Sequence, residues 1–157
     1  MRRVLGGLLI VVLSLATVIA VVLVLQSRDD AEVGKAGGPG EKVEARCPDE
    51  SAGITRDARP LTEDQIRQAT SLGNVVLRYS GSRPPAALRE LQEELTGPFD
   101  AEIAAAGQAV ILAGGGKTTE ALAWGRRQRA RTPGDPALRT FAEAWLGEGA
   151  PDPCPRN

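Results

Sequence analysis

The chain contains no histidine, and its 157 residues include only two cysteines, two tryptophans, two phenylalanines and one tyrosine. Without histidine, Ser-His-Asp and Cys-His nucleophilic sites, histidine-containing zinc sites and the usual proton carrier near neutral pH are excluded. The chain also lacks an excess of positive charge, with 19 basic against 20 acidic side chains. Because nucleic-acid-binding domains are usually basic, we expect no nucleic-acid partner.

The longest apolar feature is the run over residues 4–25, which contains only two hydroxyl-bearing residues as polar interruptions. At 1.5 Å per residue, a helix of this length crosses the roughly 30 Å hydrocarbon core of a bilayer. Two arginines precede the run and two aspartates follow it within five residues. The positive-inside rule then predicts that residues 1–3 are cytoplasmic, that residues 4–25 form a single transmembrane helix, and that the remainder is extracytoplasmic at the cell membrane.

A cleaved signal peptide is the alternative interpretation of this run, since Val18-Ile19-Ala20 offers the small residues that a signal peptidase reads. However, the apolar run continues for five residues past Ala20. It is therefore longer than the usual signal-peptide core of about 7–15 residues. The pattern favours an uncleaved anchor.

Residues 26–46 are charged, rich in glycine and nearly free of large apolar side chains. Such a segment cannot offset its ordering entropy by burial, so it is predicted to be a flexible tether. The extracytoplasmic domain then occupies residues 47–157.

Two cysteines bracket that domain, Cys47 at its start and Cys154 near its end. Two thiols in a compartment where disulfides persist favour one disulfide bond between them. A redox pair or a thiolate metal site is the weaker alternative, because the chain has no C-x-x-C motif and no third or fourth ligand. We therefore predict a structural disulfide, and no metal site or cofactor.

Between the cysteines, the pattern of apolar residues indicates a mixed fold. Thr62 and Gln65 form a capping-box pattern at the start of a short helix that ends near Ser71. Residues 74–79 and 108–113 are short apolar runs typical of buried strands. A leucine-spaced helix after Pro84-Pro85 lies between them, so the three elements predict a βαβ unit.

Two segments follow the βαβ unit, and only the second has a clear preference for one type of secondary structure. Residues 120–131 suit either a helix or a strand, because alanine, leucine and arginine alternate there with Trp124 and a turn signal follows. Residues 136–146 predict a helix with Leu138, Phe141 and Trp145 at core spacing. The fold class is therefore α+β, with an N-terminal transmembrane helix, a βαβ unit, a third strand in the ambiguous segment and a C-terminal helix.

Several of these segments together resemble an uncharacterised family of bacterial membrane-anchored extracytoplasmic domains, known as domain of unknown function thirty-one-oh-five. The resemblance covers about residues 62–151, and its most specific element is Ala-Trp-Gly-Arg at residues 123–126. It implies that the segment around Trp124 is a strand. The residues that carry it are the two apolar strands, the leucine-spaced helix between them, A-L-A-W-G-R-R at 121–127 and G-E-G-A-P at 147–151.

This chain departs from the family at the histidines. Family members usually lead into the first strand with a Glu-His-Gly triplet, where this chain has Ser71-Leu72-Gly73, and Gln68 stands where an earlier histidine would be. If those histidines form a metal or acid/base site, the resemblance implies a divergent member without it.

Three groups of residues have both a functional and a structural interpretation. The run Arg126, Arg127, Arg129 and Arg131 could contact anionic lipids or a cell-wall polymer, but a solvated edge strand is the favoured interpretation. Trp124 and Trp145 are predicted to lie in the core. The glycine-lysine segment at residues 114–117 lacks the first glycine of a phosphate loop, which indicates a flexible turn.

The preferred function is a non-catalytic binding or structural module of the cell envelope, attached to the membrane and recognising an envelope protein or polymer. One alternative is a carboxylate-dependent enzyme that uses two acids converging in a cleft. A second alternative is a vestigial metal-site domain. The candidate carboxylates are Glu63, Asp64, Glu120 and Asp135.

Overall fold

A computed structural model describes residues 38–50 and 53–154. These residues form a mixed α+β domain with a six-stranded sheet and four helices. Among the helices described, none is long and apolar enough to cross a membrane. The predicted transmembrane helix at residues 4–25 and the cytoplasmic residues 1–3 lie outside the described residues.

The sheet has the strand order β1-β6-β5-β3-β4-β2. The three strands on one side, β2, β3 and β4, are parallel, whereas β5, β6 and β1 continue the sheet in antiparallel pairs. The strands are β1 Glu41–Lys42, β2 Arg59–Pro60, β3 Val75–Arg78, β4 Val110–Gly114, β5 Thr119–Ala123 and β6 Arg126–Ala130, and the helices are α1 Glu63–Leu72, α2 Ala86–Thr96, α3 Ala101–Ala105 and α4 Pro136–Trp145.

The predicted strand–helix–strand unit is present as β3, α2 and β4, with Val75 paired to Val110 in a parallel register. The predicted helix after Thr62 is also present, and Thr62 and Gln65 form the expected capping box. The short helix α3 was not predicted. Asp100 caps it by accepting from two backbone N–H groups of its first turn.

The ambiguous segment at residues 120–131 is a hairpin of two strands, β5 and β6. The predicted third strand is therefore present, and a further strand follows it. A tight turn at Trp124-Gly125 joins the two, and Gly125 has a positive φ of 65° that favours glycine.

Each face of the sheet packs against two helices. On one face, α2 and α4 cover the larger core cluster, while on the other face α1 and α3 cover a smaller one. Because side chains alternate along a strand, adjacent residues of β3 contribute to opposite clusters. The larger cluster includes Val75, Leu77, Tyr79, Leu88, Val110, Leu112, Leu138 and Phe141, and the smaller one includes Ile66, Ala69, Val76, Ala104, Ile111 and Ala113.

The compact unit begins at Pro39, earlier than the predicted domain boundary. Residues 39–46, assigned above to the tether, lie against the sheet: β1 pairs with β6, and the Trp145 indole donates to the carbonyl of Pro39 at 2.8 Å. Gly40 permits the approach, because a Cβ there would lie 2.7 Å from the Phe141 ring. The segment is ordered by the pairing of β1 with β6 and by the close contact that Gly40 permits. Neither feature can be predicted from amino-acid composition.

Both tryptophans are only partly buried. Trp145 packs against the larger core cluster, as predicted, whereas Trp124 lies at the β5–β6 turn and belongs to neither cluster. Tyr79 and Phe141 are the fully buried aromatic residues of the described chain. The guanidinium of Arg126 lies 4.8 Å from the centroid of the Trp145 ring, and both belong to the outer part of the α4 face. An indole with a polar edge suits this half-exposed position.

Candidate functional site

The structure joins Cys47 and Cys154 by a disulfide bond, with their α-carbons 5.6 Å apart, and this confirms the predicted pairing. The bond closes a loop with a sequence separation of 107 residues. It connects the C-terminal tail to the segment that precedes β2.

Residues 43–50 form a segment that we call the strap, because it runs from the β5–β6 turn to helix α1. At its first end, the backbone N–H of Val43 donates to the carbonyl of Gly125 at 3.1 Å. At its far end, Asp49 contacts Arg67 of α1 at 3.2 Å. Cys47 lies between these ends, so the disulfide holds the middle of the strap.

A groove of about 430 Å³ lies between the strap, helix α1, the β5–β6 turn and the sheet. Helix α1 packs over β3 on this face and also contacts β5. The strap forms the wall opposite α1. The groove is lined by residues of the strap, of α1 and of the sheet, among them Arg46, Ile66, Arg67, Arg78, Glu120 and Leu122.

Arg78, the last residue of β3, lies at the floor of this groove with its side chain 26% exposed. Its guanidinium is 3.4 Å from a carboxylate oxygen of Glu63 and 3.6 Å from one of Glu120. Both distances exceed the ~2.7–3.2 Å of a good N–H···O hydrogen bond. Sequence reasoning missed Arg78, although a cation at the end of an apolar strand was a signal that could have identified it.

Two of the four candidate carboxylates converge in this groove, since Glu63 and Glu120 flank Arg78 from opposite sides. The other two lie elsewhere: Asp64 contacts Arg67, and Asp135 caps helix α4 by accepting from a backbone N–H. The arginine between Glu63 and Glu120 compensates their negative charge. This arrangement places hydrogen-bond acceptors on either side of a donor, which suits it to holding a ligand.

The other arginines that line the groove are also matched by acids or an aromatic ring. Arg46 contacts Glu44 at 2.9 Å, Arg127 contacts Glu41 at 2.6 Å, and Arg67 contacts two aspartates at 3.2 Å. Arg126 directs its guanidinium away from the groove, over the Trp145 indole on the α4 face. The lining carries five arginines against three glutamates. Further acids beside the lining, Glu41, Asp49 and Asp64, pair with these arginines and bring the region close to electrical balance.

The predicted solvated edge strand corresponds to β6, which carries most of the basic run. Its first two residues, Arg126 and Arg127, pair with β1, so β6 is not the outermost strand along its whole length. Only Arg129 in this strand is classed as exposed. Of the basic run, Arg126 and Arg127 border the groove, and Arg129 and Arg131 do not.

The glycine-rich segment after β4 leads directly into strand β5. A phosphate loop requires a helix N-terminus at this position, and the structure has none there. The segment instead packs against the end of β3, where the backbone N–H of Gly116 donates to the carbonyl of Tyr79 at 2.9 Å.

Tyr79 is a second unusual group, on the opposite face of the sheet from the groove. Its hydroxyl is buried and has no hydrogen-bond partner among the described residues. Burial raises the pKa of Tyr79 above its ordinary value, nearby Asp57 raises it further, and Arg89 partly offsets the effect. The hydroxyl is therefore an unsatisfied polar group inside the larger core cluster.

Across residues 38–50 and 53–154, no three cysteine, aspartate or glutamate side chains come together in a way that could hold a metal ion. Comparison with known proteins adds no relative: no family model matches the chain, and no curated protein or solved structure matches it significantly. The resemblance to domain of unknown function thirty-one-oh-five therefore stays a prediction.

Proposed function

We propose that the chain is a non-catalytic binding module of the cell envelope, held at the membrane by its N-terminal apolar segment, and that the groove beneath the strap is its binding site. The observation that carries this proposal is Arg78. Its side chain is 26% exposed and lines the groove, and its two ion pairs are longer than good hydrogen bonds. A ligand atom could therefore gain hydrogen bonds there that the protein itself does not satisfy.

The disulfide supports an extracytoplasmic location, because such bonds persist in oxidising compartments and are rare in the cytosol. The apolar run at residues 4–25 and the two arginines before it support attachment to the membrane with the domain outside. Both lines of support agree on the same topology.

The geometry also favours binding over carboxylate catalysis. Glu63 and Glu120 each form an ion pair with the same arginine. Each carboxylate is thus placed to accept hydrogen bonds from a ligand.

Membership of the family named above is part of the same proposal. The stretch that most closely resembles that family, residues 121–127, forms the β5–β6 turn and much of the adjoining strands. This stretch lines the groove. A shared binding surface would account for the resemblance better than a shared metal site, since this chain has no histidine.

Site-specific photocrosslinking of the full chain in its native membrane tests the proposal. A photoreactive residue at Glu44, an exposed position that lines the groove, should form an adduct. The matched control is Glu143, a similarly exposed glutamate on α4, which does not line the groove and should form none. Equal adducts from both positions, or none from Glu44, would contradict the assignment of the groove as the binding site.

A further inference from the structure

We infer that the groove accommodates a neutral, hydroxyl-rich ligand, namely a sugar unit of a glycan. The inference rests on the proposed function, because it names the chemical class of ligand for the same groove. The size, charge balance, hydrogen-bonding groups and floor of the groove each support it.

The volume of the groove limits the ligand. About 430 Å³ lies within the ~300–1,000 Å³ range of ordinary small-molecule sites. One or two sugar rings fit this space, whereas a folded partner domain would require a broad, flat surface instead. The ligand, or the part of a polymer that enters, is therefore small.

The charge balance of the groove disfavours a strongly charged ligand. Arg46, Arg67 and Arg127 each contact an acid of this chain, and Arg78 lies between two glutamates. An anionic ligand would compete with these acids for the arginines, and a cationic ligand would compete with the arginines for the acids. A neutral ligand can enter without separating any of these pairs.

Two acceptors meet the donor Arg78 in the groove: Glu120 lies beside it on the sheet, and Glu63 reaches it from the start of α1 with its side chain 65% exposed. A hydroxyl group both donates and accepts hydrogen bonds, so it can bridge a carboxylate and a guanidinium. Two adjacent hydroxyls of one sugar ring could engage both carboxylates and the arginine at once. The long ion pairs at 3.4 and 3.6 Å leave these groups able to form shorter bonds with the ligand.

Apolar side chains in the same groove can cover the C–H surface of a sugar. Ile66 lies on α1, Leu122 lies on β5, and Trp124 lies at the turn that borders the groove. The floor is a face of the sheet, where β5 already pairs with β3 and β6. An extended peptide would therefore find no free strand edge on this floor, and strand addition is the mode by which such peptides usually gain main-chain hydrogen bonds.

The two tryptophans provide an internal comparison for the test, since Trp124 lines the groove and Trp145 does not. Full-length chain in detergent micelles, labelled with ¹⁵N at tryptophan, should give two indole N–H resonances, which a Trp145→Phe variant would assign. The probes are neutral trisaccharides of N-acetylglucosamine, glucose and mannose, each titrated to about 10 mM, which corresponds to very weak binding. At least one should shift the Trp124 resonance saturably and leave the Trp145 resonance in place.

Two variants at the floor connect that shift to the proposed contacts. Glu120→Gln keeps the shape of the side chain and removes its charge, and Arg78→Lys keeps the charge and removes the planar guanidinium. Each should weaken binding by about tenfold, while Glu94→Gln, at an exposed ion pair outside the groove, should not change it. Retained dispersion of the two indole resonances would show that the variants are folded.

Three outcomes would overturn the inference. The first is that none of the trisaccharides shifts the Trp124 resonance, and the second is that both indoles shift equally. In the third, hexaglutamate or pentalysine shifts the Trp124 resonance and the sugars do not, which would overturn the sugar assignment while leaving the groove as a binding site. Failure of the proposed function is recognised separately, by crosslinking that does not distinguish Glu44 from Glu143.

Discussion

The phenol oxygen of Tyr79 lies against the backbone of Gly114, so that a Cβ on residue 114 would come within 3.3 Å of it. Tyr79 is fully buried, and its hydroxyl has no hydrogen-bond partner among the described residues. A buried hydroxyl without a partner costs about 1–3 kcal/mol. Gly114 therefore leaves space for the Tyr79 hydroxyl, and this hydroxyl lowers the free energy of unfolding of the domain.

Tyr79→Phe should therefore raise the free energy of unfolding by about 0.5–2 kcal/mol, because it removes an unsatisfied hydroxyl and keeps the ring. Urea unfolding of the domain from Pro39 onwards would measure it. A lower stability for the phenylalanine variant would show that the hydroxyl has a partner.

Gly114→Ala should destabilise the domain when Tyr79 is present and should cost less when residue 79 is phenylalanine. The reason is that the contact at 3.3 Å involves the hydroxyl oxygen. A double-mutant cycle measures this difference, which should be about 0.5 kcal/mol or more. Equal costs in the two backgrounds would indicate that the alanine strains another contact.

Stability should fall at alkaline pH, because the folded state raises the pKa of Tyr79. The unfolded state ionises near the ordinary value of about 10, while the folded state keeps its proton to higher pH. The stability contributed by this group is thus complete below about pH 10 and is lost as pH rises through the folded pKa. The chain has one tyrosine, so the change in ultraviolet absorbance when a phenol ionises reports this residue alone. Tyr79→Phe should reduce the alkaline loss.

Reduction of the Cys47–Cys154 bond should lower the melting temperature by around 10 °C, if ~2–4 kcal/mol is lost from a domain of this size. The strap would then be held only at its ends, so the sugar-dependent shift of the Trp124 resonance should weaken as well. A variant with both cysteines replaced by serine should match the reduced protein and should not respond to reductant. Unchanged melting on reduction would contradict the prediction.

Asn74→Ala should lower the free energy of unfolding by about 2–3 kcal/mol. Asn74 is 1% exposed, its side-chain amide donates to the carbonyls of Ala69 and Ala104, and its oxygen accepts from the N–H of Ala109. These bonds join α1, α3 and the start of β4. The control is Thr140→Ala, at an exposed position of α4, which should change stability by less than about 0.5 kcal/mol.

A Ser27→Cys variant should react with a membrane-impermeant thiol reagent on intact cells. The expectation follows from the two arginines before the apolar run and the acids after it. Mass spectrometry of the labelled chain would locate the modification. Labelling that requires cell lysis would reverse the predicted orientation.

The sequence determined the elements that have strong local signals. Two strands are recognisable in the sequence, at residues 74–79 and 108–113, because these runs are short, apolar and bounded by turn residues. Helix α1 was recognisable from the capping box at Thr62 and Gln65, and the disulfide from the count of two cysteines. Each of these conclusions depends on a few adjacent residues or on the number of cysteines in the chain.

Tertiary structure alone decided the candidate site. The two-residue strands β1 and β2 have no periodicity to detect, and β1 is ordered by pairing with β6 in a segment whose composition resembles a tether. Arg78 meets Glu63 and Glu120 only because β3 lies beside β5 and α1 packs over that face. Local sequence patterns report the preferences of a segment, whereas a groove depends on which distant segments are brought together by the pairing of strands and the burial of apolar faces.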